Sequence, residues 1–157
     1  MTPPKKPVPP ARQPPTRPRG NGNFLVDLGG GLYQRAPEAG FCEVIFPELW
    51  LAPADDVQTP QSAPPWRNPH LVLRRAATGA LDLVGWWTQA RAATKPPRRS
   101  VTVTLLADDA TTPVMRWRFE GACPVALTYS PLNAQSPDLL YETVALAFRT
   151  VAITGAD

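Results

Sequence analysis

The feature that most constrains this chain is the run Ser100-Val101-Thr102-Val103-Thr104-Leu105-Leu106, where polar and apolar side chains alternate with a period of two. Only an extended strand sends successive side chains to opposite faces, so the run demands a sheet with one face in a core. Shorter segments of this kind recur. Phe24-Leu25-Val26-Asp27-Leu28 runs into Gly29-Gly30-Gly31, a plain turn signal. Phe41-Cys42-Glu43-Val44-Ile45 follows Gly40, with a resumption at Leu49-Trp50-Leu51 after Pro47, a residue confined to bulges and edges of sheets. A strand at 70–75 is followed, after the helical segment described next, by one at 114–119 that alternates apolar with basic residues. Its partner at 125–129 follows Pro124. A closing strand covers 141–153, with Val144, Leu146 and Phe148 on one face and Thr143, Ala145, Ala147 and Arg149 on the other.

One segment breaks the pattern. Thr78 caps a helix over 79–93 that Lys95-Pro96-Pro97 ends, with Leu83, Trp87 and Ala90 on one face and Ala80 and Val84 on its flank. Trp86 and Trp87 stand about 100° apart on such a helix, so one faces the core and the other its edge or a neighbour. The order β-β-β-α-β-β-β predicts an α+β, mainly β domain: a six- to seven-stranded sandwich or barrel with one flanking helix.

Composition divides the chain near residue 22. Residues 1–20 hold eight prolines, five Lys/Arg and no acid. With only Met1, Val8 and Ala11 of apolar character, this stretch cannot offset the entropy of ordering its backbone. The expectation is a disordered Pro/Arg-rich arm at 1–22 with polyproline character, followed by one domain at 23–157. The arm also sets the charge: removing its five positive charges from the total of +3 leaves −2 for residues 21–157. A second proline-rich stretch, 52–69, reads as a long loop. No apolar run approaches the roughly 20 residues that span a bilayer, so membrane insertion is not expected. Cys42 and Cys123 form no CxxC and read as two small buried residues, in keeping with a reducing cytoplasm.

Little in the chain predicts chemistry. His70 is the only histidine, which excludes a histidine-rich metal site within one chain. Asp55-Asp56 and Asp108-Asp109 are paired carboxylates, but both sit in turn-like surroundings where acids serve the local backbone. Gly29-Gly30-Gly31 lacks the lysine and the following helix of a phosphate loop. The expectation is a non-enzyme with no catalytic, metal or cofactor-binding residues and no cofactor. The basic arm leaves open a small nucleic-acid-binding β-domain, whose affinity would fall steeply with salt.

Taken in order, four segments resemble the phage tail-tube protein family, which includes the inner tubes of contractile phages and extracellular contractile injection systems. FLVDLGG followed by GFCEV resembles the family's opening hairpin, and LVLRR leading to TGALDLVGWW its strand-to-helix passage. RRSVTVTLLADDATTPVMRWRFEGACPVAL resembles the next hairpin and bend, and LNAQSPDLLYETVALAF the closing strand. The quoted segments lie between residues 24 and 148, and the resemblance extends to residue 153. The resemblance implies a structural subunit that closes into hexameric rings with copies of itself. These rings would stack into a hollow tube alongside tail-tube, sheath or baseplate proteins, with protein or DNA cargo in the lumen. It implies assembly in the cytoplasm and then a place in a phage tail-like particle. Two departures, the short proline-rich stretch at 52–69 and the extra arm, leave as an alternative a specialised tube initiator, terminator or baseplate adaptor of the same fold. Trp50, Trp66, Ala145 and Ala147 are the candidate subunit contacts.

Overall fold

A computed structural model describes residues 20, 22–29, 40–49 and 68–155. Seven strands and one helix follow in the order β1 (Phe24–Asp27), β2 (Phe41–Ile45), β3 (Leu71–Ala76), α1 (Asp82–Ala92), β4 (Arg99–Leu106), β5 (Pro113–Tyr129), β6 (Tyr141–Ala147) and β7 (Thr150–Gly155). The domain is mainly β, as the alternation predicts. All pairings are antiparallel, in the order β1-β4-β5-β6-β3-β2, with β7 also on β5.

The architecture turns on one strand. The segments 114–119 and 125–129 are not two strands but parts of the 17-residue β5. Its partner is the closing segment, which breaks into β6 and β7 around Phe148 and Arg149: β6 pairs with 123–129 and β7 with 115–120. The two long lines bend together. At the bend Gly121 has φ +67°, Arg149 N–H donates to the Glu120 carbonyl (2.9 Å), and a register shift falls between Pro124 and Ala126. A proline inside a paired strand survives here because the bulge removes the need for its missing N–H. The bent ribbon carries two half-sheets, β1-β4-β5-β7 and β2-β3-β6-β5, which share one core.

That core joins Val101, Val103 and Phe119 of the first half with Leu71, Leu73, Val144 and Leu146 of the second, closed over by Leu83 and Trp86 of α1. Phe119 meets Phe148 edge-on at 4.9 Å across the bend, a geometry the aromatic quadrupoles favour. β1 and β2 end the path without pairing to each other, so the sheet folds over as an open sandwich and not a closed barrel.

The helix starts three residues later than expected. Leu81 precedes it with no side-chain cap, and Trp86, not Trp87, fills the core beside Leu83. Its start is set instead by Asp82, which is held by an arginine on β3. Leu49 lies outside any strand, and Trp50 and Leu51 lie outside the described residues, as do 1–19 and nearly all of 52–69.

Candidate assembly surfaces

Of the residues weighed for chemistry, Asp109 serves the local backbone. Asp109 accepts hydrogen bonds from the Thr111 and Thr112 amides (3.0 and 2.9 Å) and from the Thr112 hydroxyl, closing the β4–β5 turn. Those Thr112 bonds, with the Thr111 amide, hold its carboxyl far below the usual carboxylate range. The His70 amide donates to Asn68 Oδ1 (3.2 Å) at the start of β3. Gly29 turns the chain with φ +67°, and Asp55, Asp56, Gly30 and Gly31 lie outside the described residues. Among the described residues no three His, Cys, Asp or Glu side chains gather as a metal site. Cys123 is buried as expected, whereas Cys42 is exposed, because the bulge between Phe41 and Glu43 turns its thiol out toward the Arg74 carbonyl (3.4 Å).

A buried ion network went unpredicted. Arg75 points into the core, where its Nε donates to Glu142 (2.5 Å) and its guanidinium also grips Asp82. Burial alone would lower the Arg75 pKa; the bonds and charges of Asp82 and Glu142 outweigh it, and the net displacement is upward. Arg99 lies over Trp86 (4.4 Å) and is shifted down by burial, with Asp82 opposing. β3, β6 and the first turn of α1 are thereby tied at one point. A signal was present in the sequence: Arg75 continues the inward set Leu71, Leu73, and Glu142 the inward set Val144, Leu146.

Two surfaces remain for partners. On the first half-sheet, side chains in register across four strands form a polar face: Leu25-Thr104-Arg116-Thr154 and Asp27-Thr102-Arg118-Ala152. The face encloses a shallow concavity of about 660 Å³. Arg118 binds Ser100 Oγ (3.0 Å) and pairs with Glu120 (2.5 Å), an exposed pair that adds little stability. The backbone edges of β1 and β7 bound this face and carry no further strand among the described residues. On the second half-sheet, Ala145 lies in an apolar outward row, Ile45-Val72-Ala145-Ala126, with Ala147 beside it opposite Cys123. Ala145 and Ala147 are half-buried within the single chain, and Trp50 and Trp66 lie outside the described residues.

Comparison with known proteins adds a family. Residues 54–152 match the family described as T4-like virus tail tube protein gp19. No curated protein matches the sequence. Among solved structures, a chain of the sheath–tube complex of an extracellular contractile injection system (PVC, extended state) superposes with TM-score 0.66 at 20% identity, over 90% of this chain and 94% of that one. A chain from the anti-feeding prophage baseplate gives 0.64 at 21%, over 89% and 97%. One from the anti-feeding prophage tube-terminating cap gives 0.67 at 18%, over 95% and 99%. At such identities these likenesses speak for the fold; the matched segment, well over half the chain, speaks for more.

Proposed function

This chain belongs to the T4-like virus tail tube protein family, and from that premise we propose that it is a structural subunit whose copies close into rings, six to a ring, stacked as the inner tube of a contractile injection apparatus. The family match carries the reading, and it favours a structural subunit over a nucleic-acid-binding domain. The geometry supports it in two ways. Rings of identical subunits need head-to-tail contacts between unlike surfaces. Here the edges of β1 and β7, unpaired among the described residues, lie at opposite sides of one four-stranded half-sheet. Free strand edges are an aggregation hazard that closure into a ring removes. The face between those edges is polar, suited to a wet channel, while the apolar row containing Ala145 suits a dry contact.

Sheath and baseplate proteins are the proposed partners, in keeping with the assemblies in which the similar chains occur, and protein or DNA the proposed cargo. Subunits would assemble in the cytoplasm before entering the particle. The domain proper is proposed to begin near residue 23, after the Pro/Arg-rich arm. Negative-stain imaging of the full chain tests the reading: hollow rings or short tubes are expected, alone or with sheath or baseplate partners. A chain that stays monomeric under all these conditions would sink it. Copy number per particle then separates a repeating tube subunit from a single ring at the baseplate or the distal end.

A further inference from the structure

At the mouth of the sandwich a groove of about 570 Å³ runs between β2 and the inner side of β1-β4-β5. That volume lies within the roughly 300–1,000 Å³ of ordinary recognition sites. Phe24, Val44, Phe46, Val103, Leu105 and Trp117 make its lining apolar and aromatic. The Phe46 and Trp117 rings lie 4.7 Å apart at 45°, and Phe46 is 40% exposed, so among the described residues this part of the groove is open. Grooves lined by aromatic rings are the surfaces that hold polyproline helices, because the rigid ligand loses little entropy on docking.

The chain carries such a ligand. Residues 1–19 hold eight prolines, with the spacing Pro-x-x-Pro at Pro7 to Pro10 and at Pro15 to Pro18. In polyproline form nineteen residues reach roughly 60 Å, enough to lie along the groove. The arm also ends in the right place: Gly20 and Gly22 themselves line the groove, and the chain bends at Gly22 on its way into β1. Charge agrees. The arm carries five Lys/Arg and no acid. The exposed Glu43, which also pairs with Arg74 at 3.4 Å, lines the groove, and the exposed Asp108 and Asp109 follow in the β4–β5 turn beyond Leu105. Asn23 ties that turn to the foot of β1 through its bonds with Leu106 and Ala107.

We propose that the groove between β2 and β1-β4-β5 is a polyproline-binding site occupied by the N-terminal arm of the same subunit, which covers Phe46 and Trp117. This does not depend on ring formation. Cys42, exposed and on the groove wall, provides the test. In the full chain bearing Val8→Cys, with oxidised glutathione as the oxidant, an intramolecular disulfide between position 8 and Cys42 is expected. Replacing Pro7, Pro9 and Pro10 by serine, which keeps every charge, should slow its formation about tenfold, since docking and not mere tethering sets the local concentration. Phe46→Ala should slow it as well, and the proline variant stands even if Phe46→Ala misfolds, because it lies outside the sheet. No disulfide, equal rates in the proline variant, or covalent dimers in place of the intramolecular bond would each overturn the proposal, the last by giving the groove to a second copy's arm.

Discussion

At the scale of single residues, the structure depends on polar groups placed where apolar ones would be cheaper. Arg75 is 2% exposed and answers to two carboxylates. Arg75→Met would take from Glu142 and Asp82 the buried cation that bridges them, a loss of about 3–5 kcal/mol. Chemical denaturation should show it as a lowered midpoint, with the slope unchanged. Asp109 offers a second test. Its folded pKa lies below the ordinary 3.8, so its contribution is complete above that value and fades only as pH falls through the depressed one. A carboxyl NMR titration should find Asp109 still ionised below the ordinary aspartate range, and Thr112→Val should move its midpoint back upward. The role of Asp109 was legible, since an acid in such a turn serves the local backbone; that of Arg75 was not. The alternation did place Arg75 and Glu142 on inward faces, but nothing in a linear pattern says that two inward charges from β3 and β6 become neighbours.

At the scale of elements, the bend in β5 decides the shape. Gly121 allows it: with φ +67° a side chain there is strained, and a Cβ would come within 2.9 Å of the aliphatic stem of Arg149. Because that stem can shift, Gly121→Ala should cost about 1–2 kcal/mol, mostly as backbone strain. Gly29 is less forgiving, since a Cβ there would meet the Ser100 carbonyl oxygen at 2.5 Å. Gly29→Ala should therefore be the worse of the two in a paired thermal-melt comparison, and equal losses would contradict the steric account. Trp86 is the other element-scale anchor, fastening α1 over both half-sheets. Trp86→Ala should cost about 3–5 kcal/mol, and Trp87→Ala much less.

At the scale of the whole molecule, the same bend produces one polar face and one apolar outward row from a single ribbon. In the proposed ring the apolar row lies against a neighbour. Ala145→Lys, on that row but outside the single-chain core, should abolish ring formation in microscopy while shifting the melting midpoint little. A ring that forms normally with lysine at this position would move the contact elsewhere. Charge at the polar face is nearly balanced, Arg116 and Arg118 against Asp27 and Glu120, so substitutions there should alter what passes the channel more than whether it forms.

Period-two alternation and turn residues were enough to determine that this chain makes a mainly β domain, where most of its strands lie, and that one amphipathic stretch must be the helix; these are local consequences of side-chain direction. The order and spacing of the same segments carried the tail-tube family. Tertiary structure alone decided that 114–129 is one bent strand and 141–155 two, that the helix begins at Asp82 because Arg75 is there to receive it, and that Trp86 takes the core position in place of Trp87. Each depends on what approaches from across the sheet, and contacts between residues tens of positions apart leave no period in the sequence to read.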